Sequence, residues 1–141
     1  SNILEVKFSA KSENESLSRV IVASFAAKLD PTLDELSDIK MAVSEAVTNS
    51  IVHGYEEDES KFVYLRCELE DRMIKVVIED RGKGIEDIKQ AMQPMYTSKP
   101  ELDRAGMGFS FMESFMDTLE VVSIKGEGTK VVMTKTIELP K

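Results

Sequence analysis

Glu45 and Asn49 stand one helical turn apart in Thr32–Gly54, a stretch whose apolar residues recur at helical spacing, so a carboxylate and an amide share one side of the helix. At about 100° per residue, Leu36, Ile39, Val47 and Ser50 fall within roughly 40° of Val43 and form a stripe for the core. Glu45, Asn49 and His53 fall roughly 200–280° round, on the far side. An ordinary solvated face has the same look. Residue choice speaks for chemistry, because Asn is a poor helix former and Asn49 sits mid-helix. Its amide oxygen suits a hard cation such as Mg²⁺, which takes a few protein oxygens alongside nucleotide phosphates. Glu45 is placed to take a proton from an attacking hydroxyl, as a general base does. His53, the only histidine, reads as helix-end packing or hydrogen bonding, since a lone histidine makes no metal site.

Three glycine motifs follow in order. Asp80-Arg81-Gly82-Lys83-Gly84 ends an apolar run. A carboxylate there can accept a hydrogen bond from the exocyclic amine of adenine, whereas guanine offers a carbonyl that it would repel. Gly82 and Gly84 let the backbone approach a flat base, although a plain turn has the same spelling. Gly106-Met107-Gly108-Phe109 opens a helix pattern, and backbone N–H groups at a helix start suit phosphate oxygens. Thr97, Ser98, Lys99 and Arg104 add hydroxyls and positive charge just before it. Gly126-Glu127-Gly128-Thr129 is first a hairpin turn, with the Thr129 hydroxyl available to a base edge.

The elements that must position these residues can be read coarsely. Ile3–Phe8 alternates as a strand, and Ser12 with Glu15 spells a capping box opening a helix with Leu17, Val20, Ile21, Ser24, Phe25 and Lys28 at helical spacing. That spacing leaves Arg19 on the exposed side. Asp30–Pro31 stops this helix, and a second capping box, Thr32 with Glu35, starts the long one, which runs toward Gly54. Phe62–Leu69 and Met73–Glu79 flank a hairpin signal at Glu70–Arg72. Residues 85–107 read as a lid with a short helix at Glu86–Met92. A helix over Gly108–Asp117 and strands Leu119–Ile124 and Thr129–Ile137 complete the chain. Segregated helices and strands predict a two-layer α/β (α+β) sandwich, with helices on one face of a mixed sheet, over residues 1–141 as a single domain.

Composition narrows the function classes. The net charge of −8 argues against direct nucleic-acid binding, which needs clustered Lys and Arg. An acidic domain can still bind a DNA-binding protein. Cys67 is the only cysteine, so an internal disulfide is excluded and a reducing, cytoplasmic setting is expected. No apolar stretch is long enough to span a bilayer, and no membrane role is expected. Ser1–Asn2 in place of an initiator Met reads as a tag scar.

Taken together, Glu45-x-x-x-Asn49, Asp80-x-Gly82-x-Gly84, Gly106-x-Gly108 and Gly126-x-Gly128-Thr129 resemble the N box and glycine boxes of the GHKL superfamily, the ATP-binding fold shared by gyrase, histidine kinases and MutL. Phe109 departs from the Leu frequent after the second glycine box. Longer strings, SENES at Ser12–Ser16, SEAVTNSIVHGY at Ser44–Tyr55, TSKPEL at Thr97–Leu102 and GMGF at Gly106–Phe109, look like the anti-sigma F family of spore-forming bacteria. The resemblance implies a homodimeric serine protein kinase that uses ATP and Mg²⁺ and yields ADP. It also implies that the ATP form binds and inhibits a sigma F-like factor, and that an anti-anti-sigma factor is phosphorylated on serine. Glu45 is then the catalytic base and Asn49 the metal ligand. The residues from Asp80 to Thr129 named above hold nucleotide, and Arg19 contacts a partner. An ATP-dependent binding module without phosphotransfer and the general-stress branch, RsbW-like, are the alternatives.

Overall fold

A computed structural model describes residues 1–92 and 108–140. The elements are β1 (Asn2–Ser9), α1 (Ser12–Ala26), α2 (Leu33–Asn49), β2 (Phe62–Glu70), β3 (Met73–Asp80), the single turn α3 (Ile88–Ala91), α4 (Gly108–Phe115), β4 (Thr118–Ile124) and β5 (Gly128–Thr136). The strands form one sheet in the order β1-β2-β3-β5-β4. Burial alternates where the sheet meets the helices: Val63, Leu65, Cys67 and Leu69 on β2 and Ile74, Val76 and Ile78 on β3 are buried, with Val77 buried as well on the central strand. Their neighbours Tyr64, Arg66 and Lys75 look out on the helix-free face. The two-layer sandwich is as expected.

The sheet is wholly antiparallel, not mixed. The reason is parity. Two helices separate β1 from β2, so the chain crosses the layer twice and re-enters the sheet at the end it left, which reverses strand direction. A single crossover helix would have given a parallel pair. Parity also brings the end of β3, the start of β5 and the end of α2 to one edge of the sandwich.

The central helix α2 is buried on more than one side, because α1 and α4 flank it above the sheet. Ile39, Val43, Val47 and Ser50 occupy the expected stripe, but Ala42, Ser44, Glu45 and Ala46 are buried as well, while Leu36 is half-buried. Each fully buried Val or Ile here stabilises the fold by about 1.5–3 kcal/mol. The Thr32 capping box is present in full, with Thr32 N–H donating to Glu35 Oε1 at 2.9 Å and Glu35 N–H to Thr32 Oγ1 at 3.0 Å. Beyond Asn49 the helix widens into a π turn, Ser50–Gly54, closed by Tyr55 N–H on Ser50 O at 2.9 Å.

The start of α1 differs from its reading. Ser12 is already helical, Lys11 takes the cap position without a side-chain bond, and Glu15 does not close a capping box. Glu15 instead accepts from the Ser44 hydroxyl of α2 and pairs with Arg19 Nε at 3.2 Å. Its carboxylate is claimed by a neighbouring helix, which local spacing cannot foresee. The buried stripe is also rotated: Ser18, Val22, Phe25 and Ala26 face inward, while Leu17 and Val20 are 51% and 58% exposed. Ser18 tolerates burial because its hydroxyl donates to Glu15 O at 2.6 Å.

Candidate functional site

At the edge where β3, β5 and α2 end, Asp80 closes β3 directly opposite Thr129 of β5. Asp80 is 2% exposed and Thr129 5%. Asp80 Oδ1 accepts the Gly82 N–H at 3.0 Å, but Oδ2, equally buried, has no hydrogen-bond partner among the described residues. Burial pushes the Asp80 carboxyl above the usual carboxylate range. The Gly82 amide, the Ser50 hydroxyl and the Thr129 amide pull the other way, and Glu79 adds a small upward push. A buried acceptor left unpaired costs about 1–3 kcal/mol, so this oxygen calls for a donor beyond the described residues.

Glycines set how closely the loops gather round it. A Cβ on Gly82 would lie 2.1 Å from the Gly54 carbonyl oxygen, and one on Gly128, whose φ is +127°, would lie 2.1 Å from Asp80 O. Any side chain there would push the β3 exit away from α2 and β5. Gly84 meets the Ile124 carbonyl in the same way. A Cβ on Gly54 would press on the Asp80 carboxyl itself at 2.9 Å. Tyr55 locks the arrangement: its hydroxyl donates to Phe62 O at 2.5 Å and accepts Arg81 N–H at 2.7 Å. Burial of the ring raises the Tyr55 pKa, which keeps the hydroxyl proton available for donation. Lys83 N–H on Gly54 O at 3.0 Å and Gly126 N–H on Lys83 O at 2.6 Å tie the loop to both flanks.

Glu45 is 4% exposed, so the solvated-face reading of its side of α2 fails, while Asn49 and His53 are half-buried. Asn49 is the last residue of the regular helix, immediately before the π turn that delivers Ser50 and Gly54 to Asp80. The amide therefore shares the edge with Asp80, and Glu45 lies one turn deeper. Among the described residues no three His, Cys, Asp or Glu side chains cluster as a metal cage.

Of the other expected site residues, Gly108 opens α4, and Phe109 is buried as the first anchor of that helix, with Met112. Thr97, Ser98, Lys99, Arg104, Gly106 and Met107 lie outside the described residues, as does most of the expected lid. Its expected helix appears as Ile88–Ala91, started by Asp87 accepting Gln90 N–H at 3.0 Å. Arg19 stands on α1, paired with Glu15 beside the exposed Leu17 and Val20. Sequence reasoning missed Ser50, Gly54, Tyr55 and Ser123. Ser50 and Ser123 had a visible signal, a polar residue ending an otherwise apolar core-facing series; Tyr55 and Gly54 had none without the register of β2 and β3.

The open antiparallel sheet with its helices on one face, and the glycine-tight loops at this edge, place the chain in the class of histidine kinase-like ATPase domains. The family model of that description, "Histidine kinase-like ATPase domain", matches residues 8–135. Within it the chain belongs to the anti-sigma F factor family: it is 57% identical to the anti-sigma F factor of Clostridium acetobutylicum over 98% of this chain and 96% of the relative. The anti-sigma F factor of Clostridium perfringens strain SM101 is 57% identical over 95% of this chain and 96% of the relative. Among solved structures, the RsbU and RsbW domains of a Mycobacterium tuberculosis protein superpose with a TM-score of 0.72 at 18% identity, over 99% of this chain and 34% of that one. That likeness establishes the shared fold, and this chain spans about a third of that solved chain's length. No helix among the described residues is long and apolar enough to cross a membrane.

Proposed function

We propose that the chain is an anti-sigma factor and protein serine kinase that binds ATP at the Asp80 edge, holds a sigma F-like factor in its ATP form, and phosphorylates an anti-anti-sigma factor on serine. The observation that carries the nucleotide assignment is the unpartnered, buried Asp80 Oδ2. An amine proton satisfies it, and a guanine carbonyl would face it lone pair to lone pair. Bound ATP would supply the phosphoryl group, with Mg²⁺ neutralising its charge.

The chain's own residues supply positioning and proton transfer. Asp80 and Thr129 orient the base, the Gly82 and Gly84 turn closes beside it, and Gly106, Met107, Gly108 and Phe109 offer a helix start to phosphate oxygens. Thr97, Ser98, Lys99 and Arg104 add hydroxyls and cations on the phosphate side. Asn49 holds the metal. Glu45, buried on the same side of α2, draws the proton from the substrate serine, a group too weakly nucleophilic to attack unaided.

Partner contact belongs to α1. Arg19 is oriented by Glu15 and flanked by exposed Leu17 and Val20, a cation set among apolar side chains as at interface hot spots. A homodimer in the cytoplasm belongs to the same reading, and sedimentation of the purified chain tests the dimer. Incubation with labelled ATP and an anti-anti-sigma substrate tests the activity. Label on the substrate serine is expected. Binding without turnover would leave a ligand-gated binding module, and release of free phosphate alone would leave a bare ATPase.

A further inference from the structure

Ser123 closes the core-facing series Leu119, Val121, Ser123 of β4, and no step above uses it. Its hydroxyl makes three contacts. It accepts Ile85 N–H at 2.7 Å, donates to Gly128 O at 3.0 Å, and lies 2.8 Å from Thr129 Oγ1. A serine hydroxyl has one proton and two lone pairs. With the proton on Gly128 O and one lone pair on Ile85 N–H, only a lone pair faces Thr129. For all three contacts to be hydrogen bonds, the Thr129 hydroxyl donates to Ser123, and its own lone pairs are what it can turn elsewhere.

A second observation agrees with this count. Asp80 is paired with Thr129 across β3 and β5, yet its buried Oδ2 receives no hydrogen bond among the described residues. The Thr129 hydroxyl makes no hydrogen bond to that oxygen, in keeping with a proton committed to Ser123.

We infer that Ser123 is a positioning residue for base selectivity: by taking the Thr129 hydroxyl proton it fixes Thr129 as an acceptor beside the Asp80 carboxylate, so that the edge presents acceptors only and selects an amino-bearing purine over an oxo-bearing one. The inference rests on the ATP reading of this site. It adds a residue that touches no ligand. Ser123 also anchors the Ile85 amide, where the expected lid begins, so removing it disturbs the loop too; that disturbance weakens every nucleotide alike and leaves selectivity alone.

The test is the ratio of affinities for ATP and for ITP, which carry an amino and an oxo group at C6, the oxo base also bearing a proton on N1, measured by calorimetry. The wild-type chain prefers ATP. Ser123→Ala frees the Thr129 proton to donate to the ITP carbonyl, and the ratio narrows about tenfold, the scale of one hydrogen bond. Ser123→Cys, whose sulfur is a weak acceptor, narrows it in the same direction and serves if the alanine variant does not fold. Ser123→Thr, which keeps the hydroxyl, restores the wild-type ratio. On a Thr129→Val background, Ser123→Ala leaves the ratio unchanged. Equal losses for both nucleotides in Ser123→Ala, or a further change on the Thr129→Val background, would overturn the role of Ser123 while the ATP reading stands. A wild-type chain that binds ITP as well as ATP would overturn the adenine assignment itself.

Discussion

The two ends of the sandwich treat buried polar groups in opposite ways. At the end where α1 stops and α2 starts, Arg72 and Glu35 both find partners. Arg72 donates from Nε to Ile137 O at 3.1 Å and from Nη2 to Leu29 O at 2.7 Å and Glu138 O at 3.0 Å, tying the β2–β3 turn to the turn after α1 and to the segment after β5. Glu35 uses one oxygen for the Thr32 cap and the other for Glu138 N–H at 3.2 Å. At the other end, Asp80 is more deeply buried and keeps an oxygen with no partner among the described residues. The carboxyls record the contrast: the Thr32 amide, helped by Glu138, holds Glu35 below the usual carboxylate range, while burial holds Asp80 above it. One end is built for stability. The other carries an unmet need that a ligand can meet.

If that division is right, changes at the ligand end move function and changes at the closed end move stability. The largest effect is expected at Glu45. Glu45→Gln removes the basic oxygen and keeps the shape, so single-turnover phosphotransfer should fall by about 10²–10⁴-fold with ATP affinity and melting temperature nearly unchanged. Near-wild-type transfer would remove the general-base role. At the closed end, Arg72→Ala should lower unfolding free energy by about 2 kcal/mol, because three carbonyls lose a charged donor, while ATP affinity holds. Thr32→Ala should cost about 1 kcal/mol of stability, the usual worth of an N-cap, again without touching nucleotide binding. A parallel loss of ATP affinity in either variant would erase the division.

The smallest effect is the sharpest in sign. Glu35, with its folded pKa lowered, contributes stability that is present above the unfolded value and lost as pH falls through the folded one. Asp80, with its folded pKa raised, does the reverse: the folded state holds the proton more tightly, so stability declines as pH rises from the unfolded value through the folded one. Urea titrations of Glu35→Gln and Asp80→Asn between acid and neutral pH should therefore remove slopes of opposite sign. Slopes of the same sign would contradict the carboxyl environments described above.

Much of this was legible from residue types alone. The order of strands and helices follows from period and caps, and Asp80, Gly82, Gly84 and Thr129 declare themselves because strand end, glycine spacing and hairpin turn are local features. What was not legible depends on pairing across the sheet or between helices. The antiparallel sheet follows from counting layer crossings, which a list of elements does not display. Glu15 spells a cap with Ser12 but is drawn to Ser44 on the next helix. Apolar residues on α1 outnumber one stripe, so spacing cannot say that Leu17 and Val20 stay outside while Ser18 goes in. Glu45 looked like part of a solvated face because the sequence does not reveal that α2 is flanked on both sides.

The central claim is that the free oxygen of Asp80 is kept for an amine donor, and Asp80→Asn tests it most directly. The substitution preserves size, retains an acceptor for Gly82 N–H, and turns the orphaned acceptor into a donor. Calorimetric titration with ATP, paired with thermal melting of the nucleotide-free chain, should show ATP binding weakened by about 1–3 kcal/mol and a melting temperature equal to or above wild type. Unchanged ATP affinity, or a lower melting temperature with affinity intact, would mean that Asp80 serves the fold rather than the ligand.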